Sequence, residues 1–439
     1  MGKEKRIIAA IDIGTTKIVS IIGRKNENNK LDVLAFSKAE SRGVKRGTVL
    51  NIEDTVNAIR KTVDEVMQKT GKPVSEVFVG IAGQHVKSIR NRGYINRDSY
   101  DEEITRADIH ALVDDMFKIP IDVGEEIIHV LPQSFIVDNE HDIKNPVGMT
   151  GKRLEANFNI VIGQVASARN IEKCISRVGL KVKDLILEPL ASAEAVLTDD
   201  EKEAGVALID IGGGTTDLAV YYDGIIRHTS VIPFGGNVVT DDIKQGCSIL
   251  LRQAELLKIQ FGSALGDIAP DDKVVTIPGI SGREPKEITF KNLAYIIQSR
   301  MEEIIDAAAF EIENSGFFDQ LSAGIVLTGG GALLTHLSQL VKFRTGHDVR
   351  IGSPNEYLAG DPEDEINHPM YSTAVGLILK AYEHIDIDGN EFISDALDQD
   401  ETVEDKPLAE KKQARIKSTL MEQLKSTITK IFEEDDIKM

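Results

Sequence analysis

The chain has 439 residues, a formal net charge of −20, and 28% charged residues. This length predicts about three domains or subdomains. The acidic balance argues against nucleic acid as the main partner, because phosphate binding needs a basic surface. No apolar run reaches the roughly 18 residues of a transmembrane helix, and the N-terminus lacks the apolar stretch of a signal peptide. The sequence therefore predicts a cytoplasmic globular protein.

The first predicted element, residues 7–22 (IIAAIDIGTTKIVSII), has a counterpart at residues 206–222 (VALIDIGGGTTDLAVYY). In both, a β-branched apolar run ends in an aspartate, Asp12 or Asp210, and a turn rich in glycine and threonine leads to a second apolar run. Such a pattern predicts a β-hairpin. Two similar units in one chain predict two equivalent lobes that face each other.

Between and after the hairpins the chain alternates helical and strand-like segments, as expected of an α/β protein. Apolar spacing predicts a helix that ends at Gly71, a strand within 74–83, and a helix that opens at Thr105. Further on, residues 239–262 and 292–316 are each predicted to form a helix. Isolated Cys174 and Cys247 lack metal-ligand spacing and are predicted core residues.

Three glycine-rich turns carry the predicted chemistry, at residues 12–17, 210–217 and 327–332. Glycine lets consecutive backbone N–H groups converge on an anion, and an aspartate at a strand end supplies a hard oxygen for Mg²⁺. The alternative is that the turns bind no ligand and only close tight hairpins. The chain has no GxxxxGK[ST] motif and no GxGxxG after a strand, which argues against a P-loop or a dinucleotide site.

The turns IDIGTTK, LIDIGGGTTDL and IVLTGGGALL resemble the phosphate-1, phosphate-2 and adenosine motifs of the actin/Hsp70/sugar-kinase superfamily. Segments 186–196 and 371–379 are similar to its two connecting helices. The resemblance implies a two-lobed ATPase with duplicated RNase H-like lobes, which binds ATP and Mg²⁺. Catalytic and metal roles then fall to Asp12 and Asp210, and positioning of the attacking water to Glu188. The residues that would contact the nucleotide are Gly14, Thr15, Thr16, Lys17, Gly212, Gly213, Gly214, Thr215, Thr216, Gly329, Gly330 and Gly331.

Glu255 and Lys258 lie three residues apart in a predicted helix and resemble the Hsp70 pair that brackets the nucleoside. An ion pair on a solvated helix surface is the alternative interpretation.

Within the superfamily, residues 77–116 resemble the subdomain specific to the FtsA family of bacterial cell-division proteins. That resemblance implies a protein that polymerises, binds FtsZ and other division proteins, and holds FtsZ at the cytoplasmic face of the inner membrane at the septum. The FtsZ contact would lie within 236–310. The Hsp70 catalytic lysine has no obvious counterpart, so ATP hydrolysis is expected to be slow or negligible. The alternatives are a PilM-like assembly adaptor, a small-molecule kinase, and a chaperone, which the missing peptide-binding domain disfavours.

The same resemblance divides the chain into subdomains. The predicted first lobe core (1A) is 1–83, completed by 165–195 and 355–385, with the inserted subdomain 1C at 84–164. The second lobe core (2A) is 196–235, completed by 311–354, with the inserted subdomain 2B at 236–310.

Charge blocks suggest a tail outside the lobes. Residues 386–405 contain nine acidic and no basic side chains, so 386–410 is predicted to be an acidic flexible linker. Residues 411–435 are predicted to form an amphipathic membrane-targeting helix. Docking on the protein's own surface, or a coiled coil, is the alternative. The apolar face of this helix would consist of Ile416, Leu420, Leu424, Ile428, Ile431 and Phe432.

Overall fold

The computed structural model describes residues 6–279, 284–360 and 364–383. The predicted acidic linker 386–410 and the predicted amphipathic helix 411–435 lie outside the described residues. None of the helices in the described ranges is long and apolar enough to cross a membrane.

The described residues form strands and helices that alternate along the chain. The strands are β1 (Ile8–Ile13), β2 (Lys17–Lys25), β3 (Leu31–Glu40), β4 (Val44–Lys45), β5 (Thr48–Val49), β6 (Glu76–Ile81), β7 (Lys87–Asn96), β8 (Glu125–Val137), β9 (Glu140–Ile143), β10 (Arg153–Gln164), β11 (Lys181–Leu187), β12 (Val206–Ile211), β13 (Thr216–Tyr222), β14 (Ile225–Ile232), β15 (Val274–Ile277), β16 (Lys286–Thr289), β17 (Ile325–Thr328) and β18 (Val349–Ile351). The helices are α1 (Ile52–Thr70), α2 (Arg106–Met116), α3 (Val165–Arg177), α4 (Glu188–Val196), α5 (Asp199–Ala204), α6 (Gly236–Cys247), α7 (Leu251–Phe261), α8 (Phe290–Ser315), α9 (Leu337–Thr345) and α10 (372–383).

Two five-stranded sheets share one topology. The first has the order β11-β6-β1-β2-β3 and the second β18-β17-β12-β13-β14. In each, a central strand pairs antiparallel with its hairpin partner and parallel with the strand on its other side. The hairpins predicted at 7–22 and 206–222 are therefore confirmed, and the two lobes of the predicted α/β actin-like fold are duplicates.

A four-stranded antiparallel sheet, ordered β7-β10-β8-β9, is built from residues between β6 and α3. It carries α2 and its own hydrophobic core, which includes Leu112, Leu154 and Phe158. Strand β7 forms one edge of this sheet, and Ser88 on β7 hydrogen-bonds Thr229 on β14 of the second lobe (Oγ to Oγ1, 2.9 Å). The inserted sheet thus contacts the second lobe directly.

Local signals placed several helix ends correctly. Helix α1 ends at Gly71, whose φ of 64° is the left-handed conformation that glycine adopts easily. Thr105 caps α2 through a reciprocal capping box. The helix predicted at 239–262 is wrong in one respect, because two helices, α6 and α7, lie there. Ser248 takes a left-handed φ of 51° and breaks the run.

Two helices connect the lobes and cross tightly. Helix α4 follows β11, and α10 follows the short 3-10 turn Pro369–Tyr371. At the crossing, a Cβ atom added to Gly376 would lie 1.8 Å from the backbone oxygen of Ala191. Only glycine lets the two backbones approach this closely, so the connection between the lobes is sterically tight.

Candidate functional site

The turns of the two hairpins meet. One joins β1 to β2 and the other joins β12 to β13, and both lie at equivalent positions of their sheets. A Cβ atom on Gly213 would lie 2.2 Å from Cγ2 of Thr16, and one on Gly214 would lie 2.4 Å from Oγ1 of Thr15. Residues from opposite lobes thus come into contact, and side chains at these glycines would push the turns apart.

A cavity of about 60 Å³ lies between the turns. Most of the predicted site residues line it, namely Asp12, Gly14, Thr15, Thr16, Lys17, Glu188, Asp210, Gly212, Gly213, Gly214, Thr215, Gly329 and Gly330. Ligand pockets typically measure roughly 300–1,000 Å³. The cavity is therefore smaller than a typical ligand pocket in this structure.

Four predicted site residues lie outside this lining. Thr216 starts β13 and is fully buried, with its hydroxyl donating to the Phe234 carbonyl at 2.9 Å. Gly331 packs against Ile211 behind the cavity. Glu255 and Lys258 form an ion pair on α7, with 2.8 Å between Oε2 and Nζ.

The Glu255–Lys258 pair is connected to the second glycine turn. Lys258 Nζ donates to the Gly236 carbonyl at 2.9 Å and to the Thr240 hydroxyl at 2.8 Å. The Gly236 backbone N–H in turn donates to the Gly212 carbonyl at 2.9 Å. Gly236 thus links Lys258 to Gly212, which lines the cavity. This geometry favours a place beside the cleft over an isolated surface ion pair.

Four carboxylic side chains face the cavity: Asp12, Glu188, Asp210 and Asp217. Burial raises the pKa of Asp12 to about 6, although the Lys17 ammonium opposes the rise. Burial, reinforced by the neighbouring aspartates, also holds the pKa of Glu188 and of Asp217 well above the usual range. Lys17 is the one basic residue that lines this cavity in the described part of the chain. The cluster is therefore short of positive charge.

Asp210 is fixed by both connecting helices. Ser192 on α4 donates a hydrogen bond to Asp210 Oδ2 at 2.6 Å, and Thr373 on α10 donates to the same oxygen at 3.2 Å. The two hydroxyls also contact each other at 3.0 Å. A carboxylate of the cleft is thus tied to the two segments that join the lobes.

The donor set suits a hard divalent cation. All four candidate groups are carboxylates, and the Oδ1 atom of Asp217 is buried without a hydrogen-bond partner. In the described ranges no three His, Cys, Asp or Glu side chains are close enough to hold a metal directly. Mg²⁺ is compatible with this arrangement, since it usually keeps several waters and binds one or two carboxylates.

Some residues of the site were not predicted from the sequence. Asp217, Gly47, Met370 and Thr373 line the cavity, and Ser192 supports Asp210. Asp217 follows the second glycine turn and lies two residues after Thr215. Because side chains two residues apart in an extended chain point to the same face, this spacing could have identified Asp217 as a cavity residue. Gly47 comes from the β4–β5 hairpin, where no motif marks it; its backbone N–H donates to the Thr15 hydroxyl at 3.2 Å.

Comparison with known proteins identifies similar chains. A family model described as "Cell division protein FtsA" matches residues 207–376, and one described as "SHS2 domain inserted in FTSA" matches residues 83–162. The chain is 39% identical to the cell division protein FtsA of Pseudomonas aeruginosa over 374 residues, covering 85% of this chain and 89% of that protein. It is 34% identical to FtsA of Escherichia coli K12, over 85% of this chain and 90% of that protein. The identity with FtsA of Bacillus subtilis is 33%, over 88% and 86%.

Solved structures share the fold at lower sequence identity. A PilM–PilN type IV pilus biogenesis complex matches with a TM-score of 0.61 and 16% identity, over 85% of this chain and 98% of that chain. MreB5 of Spiroplasma citri bound to ADP matches with a TM-score of 0.54 and 16% identity, over 88% and 99%. These likenesses confirm the actin-like fold predicted from the glycine-rich motifs.

Proposed function

The chain belongs to the FtsA family of cell-division proteins, and on that premise we propose that it binds ATP, polymerises and tethers FtsZ filaments to the inner membrane at the division site. The observation that carries the nucleotide part is the contact between the two glycine turns, Thr15–Thr16 against Gly213–Gly214. Backbone N–H groups of such turns suit phosphate oxygens from two sides. The solved structures of MreB5 of Spiroplasma citri bound to ADP and to AMPPNP support this proposal.

In the proposed complex, Asp12 and Asp210 would hold a hydrated Mg²⁺, with Asp217 beside them, and the cation would neutralise phosphate charge. Lys17 contributes the one positive side chain of the cavity lining within the described residues. Glu188 lies at the start of α4, close to Gly80 at the end of β6, where it would orient a water. Burial raises the pKa of the Glu188 carboxyl, so a smaller fraction of it is the carboxylate that can accept a proton from water, and we propose slow or negligible hydrolysis.

The 60 Å³ cavity implies that nucleotide enters an opened cleft. Opening would rotate the lobes about α4 and α10, whose Ser192 and Thr373 both bind Asp210. Nucleotide contacts at Asp210 would therefore be transmitted to the connecting segments. In this proposal nucleotide mainly closes the lobes and favours polymer.

The subdomain boundaries given above form part of the proposal. The family match to residues 83–162 supports the inserted subdomain 84–164. The FtsZ contact is placed within 236–310 and the membrane contact in 411–435, both by family membership and sequence pattern alone. The PilM-like alternative has support from fold likeness only, since that structure is 16% identical.

Calorimetry with Mg-ATP tests the nucleotide site. Lys17→Met should weaken binding at least tenfold, because it removes a positive charge from an acidic cavity. Lys45→Met, at an exposed position outside the cavity, should bind as the wild type does. Absence of heat with the wild-type chain would refute the nucleotide proposal.

Vesicle sedimentation tests the tether. Purified FtsZ should sediment with vesicles of inner-membrane lipids when this chain and ATP are present, and should stay in solution when residues 411–439 are removed. Leu424→Glu on the predicted apolar face should abolish sedimentation, whereas Ser426→Glu on the opposite face should retain it. Equal sedimentation of both variants would contradict the amphipathic-helix proposal, and phosphorylation of an acceptor at kinase rates would favour the kinase alternative.

A further inference from the structure

A second cavity, of about 490 Å³, lies away from the glycine turns at the junction of the inserted sheet and the second lobe. Its walls come from β7, β8 and β10 on one side, and from β14 and the segment after α8 on the other. The residues that matter are Arg90, Arg92, Gln133, Asn157, Arg227 and Phe317. A volume of this size is within the range of ligand pockets.

The lining is basic in a strongly acidic chain. Three arginines face the cavity and no aspartate or glutamate lines it, although the chain carries a net charge of −20. Arg92 is paired with Glu155 at 2.7 Å, and Glu155 is shared with Arg153 at 2.8 Å. Arg90 and Arg227 have no carboxylate within ion-pair distance in the described part of the chain. The cavity therefore has an excess of positive charge.

The two unpaired guanidinium groups are held in place by backbone carbonyls. Arg90 donates to the Ser315 carbonyl at 3.0 Å. Arg227 donates to the Tyr222 carbonyl at 3.1 Å and to the Gln133 carbonyl at 3.3 Å, and it stacks on the Phe317 ring with 5.5 Å to the centroid. Ordered donors lose little conformational entropy when a ligand binds.

These contacts also bridge the inserted sheet and the second lobe, so a purely structural role is the competing explanation. Arg90 reaches the last turn of α8, where a cation stabilises free carbonyl groups. However, a guanidinium carries more N–H donors than these carbonyls use, and a structural bridge does not require a cavity with amide side chains on its other walls. Gln133 is itself oriented by a 2.6 Å bond to the Ile226 carbonyl.

We propose that this cavity binds an acidic ligand that carries two or more carboxylate or phosphate groups. Arg90 and Arg227 bind the oxyanions from opposite walls, with Gln133 and Asn157 as additional polar contacts. Arginine is suited to both groups, since its planar fork matches carboxylate and phosphate oxygens. A bound ligand touches the inserted sheet and the second lobe at once, and so strengthens their contact.

The two sources of such groups, an acidic peptide segment and a free phosphate compound, are distinguished by two probes. Binding of a fluorescein-labelled tetraglutamate peptide and of inorganic tripolyphosphate is measured on the full chain, with excess Mg-ADP present so that the nucleotide cleft is already occupied. We expect at least one probe to bind, more weakly as salt is raised. Peptide binding identifies a protein segment as the ligand, and binding of tripolyphosphate alone identifies a free phosphate compound.

Variants locate the binding. Arg90→Gln combined with Arg227→Gln should weaken binding roughly tenfold or more, because charge-assisted hydrogen bonds are lost. Asn157→Asp keeps every arginine contact and adds a negative charge to the cavity wall, so it should weaken binding even if the double variant folds poorly. Arg252→Gln, at an exposed position of α7, is the matched control. Failure of both probes to bind, or equal binding to wild type and Asn157→Asp, would overturn the proposal.

Discussion

The Asp12→Asn substitution should make the ligand-free protein more stable while removing its response to Mg-ATP. Asp12 is buried, and burial raises its pKa from 3.8 to about 6 against the opposing charge of Lys17. A tenfold change in proton affinity corresponds to about 1.4 kcal/mol. The charged Asp12 carboxylate therefore lowers the free energy of unfolding by about 3 kcal/mol at neutral pH. An uncharged amide of similar shape avoids this loss.

The sign of the pH dependence follows from proton linkage. The folded protein holds the Asp12 proton more tightly than the unfolded chain, so its stability falls as pH rises. The loss is absent below pH 3.8 and complete above about pH 6. Asp12→Asn and the wild type should therefore have similar stability near pH 4, and their free energies of unfolding should diverge up to about pH 6 and differ by a constant amount above it.

Urea unfolding followed by circular dichroism, between pH 4 and 8 and in the presence of a chelator, measures this difference. Asp64→Asn, an exposed position on α1, removes the same charge and serves as the control. Addition of Mg-ATP should stabilise the wild type and leave Asp12→Asn unchanged. A variant that is less stable than the wild type at pH 7.5 without ligand would show that the buried-carboxylate argument is wrong.

Three further substitutions test the packing of the cleft by thermal unfolding and nucleotide calorimetry. Gly329→Ala should lower the free energy of unfolding by about 2–4 kcal/mol, since φ is 82° and the new Cβ would lie 2.2 Å from the carboxylate of Asp210. Gly316→Ala is the control: φ is also 82°, but no atom lies within 4 Å of the new Cβ, so the loss should be only about 1 kcal/mol. Gly213→Ala should weaken Mg-ATP binding. Thr16→Ser in the same chain should restore it, because serine keeps the hydroxyl and removes the methyl group that the new Cβ meets at 2.2 Å; no rescue would mean that the turns do not pack as described. Gly376→Ala should lower the melting temperature, because the new Cβ would lie 1.8 Å from the facing carbonyl oxygen of α4 and would force α10 away from it. An unchanged melting temperature would contradict the tight crossing.

Local sequence signals predicted the elements that depend on near neighbours. The two hairpins follow from alternating apolar runs around a glycine turn, and α2 follows from the Thr105 capping box. The break between α6 and α7 could not be predicted in this way, because the apolar spacing continues through it. At the break, Lys286 on β16 donates to the carbonyls of Cys247 and Ser248 at 3.2 and 2.8 Å. A contact from a distant strand thus compensates for the hydrogen bonds that a continuous helix would have made.

Residues of the cleft that belong to a sequence motif could be predicted, whereas residues that reach the cleft through tertiary packing could not. Repetition of Asp and glycine in two hairpins indicated Asp12 and Asp210 as partners, and both line one cavity. Strand alternation could have separated Thr215 from Thr216, because successive side chains of a strand point to opposite faces. By contrast, the support of Asp210 by Ser192 and Thr373 depends on two helices that lie far apart in the chain.

Both cavities hold an unbalanced charge at a place where two parts of the fold meet. Four carboxylic groups and one lysine lie between the lobes, and arginines without carboxylate partners lie between the inserted sheet and the second lobe. Asp12, Asp210 and Asp217 are buried, and like charges repel more strongly there than in water. Arg90 and Arg92 are exposed, so the repulsion between the arginines is weaker. A ligand of opposite charge removes that repulsion, so its binding energy is largest when the two parts are closed around it. The second lobe lines both cavities, so under the two proposals above it would contact both ligands.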